Sequence, residues 1–384
     1  MAAAVLGAAL LAAGALFGYR AAGHHGRETA RSISHGRGQA PRFSLPAALV
    51  AWFDGDGTLR IGNVATLAQR PLAQLAQEPC CTLIAAGHGI YWAGQHRGRG
   101  YIQEYSLATH AIRNVAPGWA VFASAGGRNL YIAQSDTRLL VLPDGGSGPP
   151  RRLVTPPGWR VVPLPYAVAG GIIVSTGTRQ PAIGLWRPGA HKIWVVGHGY
   201  MMTTWTKPSG RAGLIAWWSD ACHKLPCPMQ ITNTTTHRTV TVRPPPGFGF
   251  IGQGGDAAFS ADGRTLAVFV NPLHQHPYAG FVPILADTAT GGVRLVGRAL
   301  MTSGELAGWL LWLPGSGRLL AGPAANTRFP AYAIDASTAA ARPFTFFVTY
   351  HYPESPVYDI TNGNVLLGRA VVTPRRLTLP RAVR

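Results

Sequence analysis

Residues with metal-binding or catalytic potential are confined to a few short stretches of this sequence. NPLHQHPYAG, residues 271–280, places His274 and His276 in a loop with one residue between them. Two imidazoles at that spacing can bind one metal ion from an extended chain, but a third ligand must come from elsewhere. Motifs of the types Gly-x-Ser-x-Gly, His-Glu-x-x-His and the phosphate-binding loop are missing. The sequence therefore predicts no metal, no cofactor and no catalytic residues.

A second stretch, FDGDGTL at residues 53–59, holds Asp54 and Asp56 at the end of an apolar run. It resembles the first motif of haloacid-dehalogenase-like phosphatases, which implies Asp54 as nucleophile and Asp56 as acid and base. The rest of the chain lacks the alternating strands and helices and the late acidic pair of those enzymes. Oxygen ligands that would complete a calcium loop are also absent. We therefore favour a hairpin whose Asp-Gly pair supplies the positive φ of a tight turn.

Four cysteines are present, and none has the Cys-x-x-Cys spacing of a zinc site. Cys222 and Cys227 have four residues between them in ACHKLPCP, where a local disulfide is predicted if the compartment is oxidising. Cys80 and Cys81 are adjacent. They could form a strained vicinal disulfide, remain free, or pair elsewhere.

Composition indicates a folded chain built from many short elements. Hydrophobic residues make up 47% of the 384 residues and charged residues 13%, which excludes disordered and coiled-coil classes. The 48 glycines and 31 prolines are dispersed between apolar runs. That distribution is typical of short strands joined by turns.

A turn followed by an apolar strand recurs along the chain. FSADGRTLAVF at 259–269 aligns without a gap to ASAGGRNLYIA at 123–133, matching a serine, a glycine, an arginine and a leucine. Weaker copies occur elsewhere, and DTATGG at 287–292 has the composition of a tight turn. The first apolar residues after the turns are Ile90, Leu130, Ile172, Leu214, Leu266, Leu319 and Val365, giving steps of 40, 42, 42, 52, 53 and 46 residues. Repeats of this length indicate four-stranded blades.

FSADGRTLAVFV is similar to the blade core of TolB-like and WD-repeat-like bacterial β-propellers, although the Trp-Asp dipeptide of true WD repeats is missing. The expected fold is all-β, a seven-bladed propeller over residues 46–372, with a tail at 373–384. The hairpin at 46–64 lacks an inner pair of strands. We therefore predict that the last blade is closed by strands from both ends of the chain.

The N-terminus points towards export. Ala2 to Tyr19 is an uncharged apolar run, expected to form a helix that serves as a signal peptide or membrane anchor over residues 1–19. Residues 20–45 read as a flexible basic linker. The positive-inside rule alone would place the following part in the cytoplasm. Resemblance to exported propellers favours an extracytoplasmic location instead.

Charge gives the remaining functional clue. The chain carries 34 Lys and Arg against 15 Asp and Glu, a net charge of +19. Either an arginine-favouring codon bias or attraction to polyanions explains this excess of positive charge. Nucleic acid is disfavoured as the partner, because no basic cluster is interleaved with aromatic residues. In a propeller, loops joining second to third strands share one face. The basic residues predicted there to bind a ligand are Arg97, Arg99, Arg179, His274, His276 and Arg328.

The expected function is that of a monomeric, non-catalytic binding or scaffold protein. It would be tethered through its N-terminus and would recognise an anionic envelope component or a partner protein. A propeller enzyme of lyase or cyclase type, using loop histidines and acids, is the alternative. Few acids fall in the predicted loops, which disfavours an enzyme that needs a general acid or base. A cytoplasmic scaffold is disfavoured by the apolar N-terminus and the cysteine loop.

Overall fold

In the computed structural model, regular structure consists entirely of strands. The described residues run from 49 to 344 and from 369 to 372, except for 54–57, 64, 67, 76–79, 87–88, 97–98, 125–127, 144–147, 163–166, 179–180, 207–209, 211, 220–225, 251–256, 274–281, 297–307, 314–315 and 324–330. Within them the chain forms 29 strands and no helix, so the all-β prediction is confirmed. No helix among these residues is long and apolar enough to cross a membrane. The predicted N-terminal helix lies outside the described residues.

The strands form six antiparallel sheets, named A to F in the order of their first strands. Sheet A contains β1 (Leu49–Phe53), β2 (Thr58–Asn63), β3 (Gln69–Gln74) and β29 (Arg369–Val372). Sheet B contains β4 (Cys80–Ala86), β5 (Gly89–His96), β6 (Arg99–Ser106) and β7 (Ile112–Pro117). Sheet C contains β8 (Ala120–Ala123), β9 (Asn129–Ala133), β10 (Arg138–Pro143) and β11 (Arg151–Val154).

Sheet D is larger, with eight strands. They are β12 (Arg160–Val161), β13 (Ala167–Val168), β14 (Gly171–Ser175), β15 (Ala182–Trp186), β16 (Ile193–Thr206), β17 (Gly213–Ser219), β18 (Met229–Asn233) and β19 (Thr239–Val242). Sheet E contains β20 (Phe248–Phe250), β21 (Ala257–Phe259), β22 (Thr265–Pro272), β23 (Val282–Asp287) and β24 (Val293–Leu295). Sheet F contains β25 (Gly308–Trp312), β26 (Arg318–Pro323), β27 (Ala331–Asp335) and β28 (Ala341–Phe344).

Sheet D divides at Gly199. Residues of β16 up to His198 pair with β15, and residues from Gly199 onwards pair with β17. The long strand β16 is therefore the last strand of one four-strand array and the first strand of the next. We call these arrays the first and second halves of sheet D.

Sheet A joins the two ends of the described chain. β1 pairs with β2, as the hairpin prediction required, and its other edge pairs with β29, with Ala51 opposite Ala370. The strand order is β29-β1-β2-β3. The predicted repeat copy around Val365 lies outside the described residues, so the strand observed next to β1 is the one beginning at Arg369.

The predicted repeat positions occupy equivalent places. Each lies in the second strand of its sheet or half-sheet, and each is buried: Ile90, Leu130, Ile172, Leu214, Leu266 and Leu319. A separate apolar core fills the space between each two successive arrays from A to F. First strands of neighbouring sheets also contact each other, as β29 does β4 and β4 does β8.

The serine of the repeat closes its turn. Ser260 Oγ donates to Asp262 Oδ1 at 2.6 Å and accepts the Thr265 N–H at 3.0 Å. Gly263 in the same turn has φ +72°, a conformation that glycine adopts without a steric cost. Ser124 Oγ accepts the Asn129 N–H at 2.9 Å in the aligned copy. The sequence match therefore reflects a shared turn chemistry.

A second repeat, at the turn between third and fourth strands, was seen in the sequence only as DTATGG. Five such turns begin with a residue whose side-chain oxygen accepts a backbone N–H of the turn, and carry threonine three positions later. Their first residues are Asn63, Ser106, Asn233, Asp287 and Asp335, and their threonines are Thr66, Thr109, Thr236, Thr290 and Thr338. These are Asx and Ser turns, in which the side chain replaces a backbone acceptor.

The same turns contact the preceding array at three junctions. Trp194 in β16 stacks on His237, with ring centroids 4.0 Å apart. Arg294 in β24 donates to the carbonyl oxygens of Ser337, at 2.8 Å, and Ala336. A Cβ added to Gly291 would lie 2.3 Å from the Thr241 carbonyl oxygen in β19. The last strand of one array thus rests on the turn of the next.

One buried polar cluster lies within sheet B. Glu104, which is 3% exposed, accepts a hydrogen bond from Arg113 Nε at 2.5 Å and is hydrogen-bonded to the buried Tyr91. Burial raises the pKa of the Tyr91 phenol well above its usual range, and the Glu104 carboxylate raises it further. Burial also raises the pKa of Tyr105 and Tyr131.

The raised pKa values of these tyrosines predict that the folded state becomes less stable at alkaline pH. A phenol whose pKa is raised by folding contributes stability that is complete below its ordinary pKa of 10.0 and is lost as pH rises through the folded-state value. We expect the free energy of unfolding to fall above about pH 10, with tyrosinate absorbance appearing as the chain unfolds. Tyr91→Phe should make that decline shallower, whereas Tyr200→Phe, at an exposed site, should not. Tyrosinate absorbance that appears well before unfolding would contradict this account.

Candidate functional site

Antiparallel order gives the arrays two distinct edges. One edge, called here the loop edge, carries the loops from second to third strands and the connections between successive arrays. The opposite edge is called the turn edge. It carries the turns between first and second strands, called serine turns after Ser124 and Ser260. It also carries the turns between third and fourth strands, called threonine turns after Thr66, Thr109, Thr236, Thr290 and Thr338. The predicted ligand-binding loops belong to the loop edge, as the strand order requires.

Of the predicted ligand-binding residues, the structure describes one. Arg99 is exposed at the start of β6, on the loop edge. The others lie outside the described residues: Arg97, Arg179, His274, His276 and Arg328. Their role and their proximity to Arg99 stay predictions.

Other described arginines of the loop edge were not among the predicted ligand-binding residues. Arg138 is exposed at the start of β10, and Arg160 is exposed at the start of β12. Arg160 Nη1 lies 3.4 Å from Asp136 Oδ2 in the loop of sheet C. The Arg160 side chain also lies against Gly177, in the loop of sheet D's first half, where a Cβ would be 3.2 Å from Arg160 Cδ. Arg160 therefore connects two neighbouring loops.

Backbone hydrogen bonds tie the described loop edge together. The Gly118 N–H donates to Gly100 O at 3.1 Å, and the Val161 N–H donates to Asp136 O at 2.6 Å. Farther along the edge, the Gly199 N–H donates to Pro181 O at 2.8 Å. The charged side chains are thus carried on loops that are held by hydrogen bonds to their neighbours.

An aromatic group lies beyond Gly199 on the same edge. Tyr200 in β16 is 45% exposed and pairs across the sheet with Trp218 in β17. Directly paired residues of antiparallel strands project from the same side of the sheet. Trp218 makes an edge-on contact with the buried Phe250 of sheet E, with ring centroids 5.0 Å apart. Tyr200 is therefore an exposed aromatic side chain on the same side of the sheet as the packed pair of Trp218 and Phe250.

Titratable groups are sparse here. Among the residues that the structure describes, no three His, Cys, Asp or Glu side chains converge as a metal site would require. Cys227 is disulfide-bonded, but the side chains of the other three cysteines lie outside the described part. The pairing of Cys222 with Cys227 therefore stays a prediction.

Comparison with known proteins identifies the architecture. No protein-family model and no curated protein sequence matches the chain. Among solved structures, the β-propeller domain of the Trilobed protease from Pyrococcus furiosus superposes with a TM-score of 0.51 at 10% identity, over 81% of this chain and 96% of that one. The chain is a β-propeller. The resemblance to propeller blades seen in the repeat is confirmed at the level of fold.

Two other solved structures are also similar to this chain. An oligogalacturonate lyase in complex with manganese has a TM-score of 0.53 at 12% identity, covering 78% of this propeller and 84% of the lyase. TolB from Acinetobacter baumannii has a TM-score of 0.43 at 12% identity, with 77% and 62% covered. At 12% identity, the likeness to the lyase shows a shared fold and leaves the activity open.

Proposed function

We propose that this protein is a non-catalytic, extracytoplasmic propeller that binds an anionic partner through its loop edge. The observation that carries the proposal is the exposure of Arg99, Arg138 and Arg160 on that edge, where Asp136 is the one acid among the residues that the structure describes. The partner would be an anionic envelope component or the acidic surface of another protein. The proposed partner is not a nucleic acid. The protein would act as a monomer.

We further propose that the propeller has seven blades. The two halves of sheet D count as separate blades that share β16, because β16 changes its pairing partner at Gly199. Five other sheets complete the number. Pairing of β1 with β29 supports closure of the ring by strands from both ends. Residues 1–19 would be the signal peptide or membrane tether, 20–45 the linker, and 373–384 a tail.

Arginine chemistry suits an anionic ligand. The planar guanidinium presents paired N–H donors that match the oxygens of a carboxylate or phosphate. At physiological salt, exposed charges act over only about 8 Å. Affinity would therefore depend on arginines clustered on one edge, and the net charge of +19 would add little beyond non-specific attraction.

A first test replaces Arg99, Arg138 and Arg160 together by glutamine. We expect about tenfold weaker binding to polyglutamate and a flatter salt dependence, since three exposed charge contacts of roughly 0.5 kcal/mol each are lost. The measurement is titration calorimetry in rising salt. The matched control replaces Arg128, Arg187 and Arg238, exposed arginines at the turn edge, and should change affinity less than twofold. Equal weakening by both sets would reduce the attraction to diffuse net charge, contradicting the proposal.

The second candidate is a propeller enzyme of lyase type, with His and acidic residues in the loops. It is kept because a solved propeller of the same fold is an oligogalacturonate lyase bound to manganese. Incubation of the protein with oligogalacturonate and manganese decides between the two. Release of unsaturated sugar products would favour the enzyme, and unchanged substrate would favour the binding protein.

A further inference from the structure

An arginine without an acidic partner among the described residues lies between sheets A and B at the turn edge. Arg70, in β3, is partly buried, and its Nε is buried with no hydrogen-bond partner in the described part of the chain. A buried donor without a partner is unfavourable. We propose that Arg70 and His110 form a binding site for a small oxyanion, the oxygens being those of a phosphate or a carboxylate group. This site lies on the edge opposite the proposed partner surface and is independent of it.

The position of Arg70 in its strand indicates which segment it faces. In three other arrays, the second residue of the last strand lies against the threonine turn of the following array. These contacts join Trp194 to His237, Val240 to Gly291, and Arg294 to the carbonyl oxygens of Ser337 and Ala336. Arg70 is the second residue of β3, the last strand of sheet A. The equivalent turn for Arg70 is therefore that of sheet B, from Ser106 to His110.

Two direct observations place Arg70 beside this turn. Arg70 pairs with Ile61 across sheet A, and Ile61 lies in the same apolar core as Tyr105, the residue before Ser106. Burial raises the pKa of the Tyr105 phenol, and the positive charge of Arg70 offsets part of that rise. The guanidinium is therefore close enough to the Tyr105 hydroxyl for its charge to act there.

His110 supplies a second donor next to the same hydroxyl. Its Nδ1 lies 3.1 Å from Tyr105 Oη, and the residue is exposed. When the phenol donates this hydrogen bond, the neutral imidazole carries its proton on Nε2. Arg70 and His110 thus flank Tyr105 with one charged and one neutral N–H donor, while Tyr105 holds the imidazole in position.

The charges around these donors favour an oxyanion. Among the described residues of sheets A and B the one acid is Glu104, and its pairing with Tyr91 puts it on the side of sheet B that faces sheet C. No described carboxylate therefore competes for Arg70. Partial burial strengthens the attraction of an ion, because the effective dielectric constant is lower than in water. The planar guanidinium matches two oxygens of one phosphate or carboxylate.

The test is calorimetric titration of the full chain with inorganic phosphate, and separately with acetate, at an ionic strength held constant with chloride. We expect saturable binding that Arg70→Gln weakens about tenfold, because a charged hydrogen-bonding partner is lost. His110→Gly should weaken binding about fivefold, the loss expected for one neutral hydrogen bond. Glycine accepts the φ of +57° at this position, so His110→Gly keeps the test decisive if Arg70→Gln does not fold.

Arg294→Gln is the matched control. Arg294 has the equivalent place in its strand, but its guanidinium already donates to two carbonyl oxygens. This variant should change phosphate affinity by less than about twofold, because distant sites act independently. Replacement of Arg99, Arg138 and Arg160 together should change it as little.

Each outcome bears on a definite claim. Saturable binding of phosphate alone assigns a phosphate group as the ligand, and saturable binding of acetate as well extends the site to carboxylates. If the native protein binds neither ion, or if Arg70→Gln and His110→Gly bind as the native protein does, the oxyanion site is refuted. Equal weakening by Arg70→Gln and Arg294→Gln refutes it too, because binding would then follow net charge. Polyglutamate binding tests the proposed function separately, so that either proposal can fail without the other.

Discussion

Deletion of residues 46–64 is expected to abolish the cooperative unfolding transition of the propeller. The deletion removes β1 and β2, and with them the pairing partner of β29. Leu49, Leu59 and Ile61 lie in the core between sheets A and B, all at most 4% exposed. Their burial contributes about 5 to 9 kcal/mol at roughly 1.5 to 3 kcal/mol each. That loss is comparable with the whole free energy of unfolding of a typical domain, about 5 to 15 kcal/mol.

Thermal unfolding followed by near-ultraviolet circular dichroism is the measurement. The control is a chain that begins at Ser44, where the larger compact unit starts, and it should keep a single sharp transition. Retention of that transition at an unchanged midpoint after deletion of 46–64 would refute the closing role of sheet A.

The second large effect is expected from Gly291→Ala. Gly291 has φ +77°, and a Cβ there would lie 2.3 Å from the Thr241 carbonyl oxygen of the preceding array. Positive φ costs an alanine about 1 to 2 kcal/mol. The contact adds about 1 to 3 kcal/mol of overpacking, because a backbone carbonyl in a strand cannot rotate away. We expect a total loss of about 3 kcal/mol, measured by chemical denaturation.

Gly170→Ala separates the two causes. Gly170 has the same φ of +77°, but a Cβ there would meet nothing within 4 Å. Its replacement should cost only the conformational part, about 1 to 2 kcal/mol. Equal losses in the free energy of unfolding for the two variants would mean that the close approach of Gly291 to the Thr241 carbonyl oxygen adds nothing to the cost.

Periodicity revealed the fold because the serine turns depend on side chains. Ser260 and Ser124 make the same hydrogen bond, so the sequence repeats where the structure repeats. The threonine turns were largely missed, since Asn, Asp and Ser all serve as the first residue and only the threonine is constant. Continuity of β16 was missed for another reason. The strand continues through Gly199 while its pairing partner changes from β15 to β17, and no turn sequence marks the passage between the two arrays.

The candidate site was predicted less completely than the fold. Arg99 was predicted as a ligand-binding residue because it belongs to HRGRG, residues 96–100, whose composition is typical of a loop. Arg160 begins β12, and its position on the edge follows only from the pairing of β12 with β14. The exposure of Tyr200 could not be read from sequence, because residues of an apolar strand look alike until the packing of neighbouring sheets is known.

Pairing of β1 with β29 has a consequence for biosynthesis. β1 ends at Phe53 and β29 begins at Arg369, so about 315 residues are translated between the two partners. At about 5 to 20 residues per second, this takes roughly 15 to 60 s. During that time one edge of β1 has no native partner, and an unpaired strand edge is a template for association with other nascent chains. Completion of sheet A is thus a late event in the synthesis of each molecule.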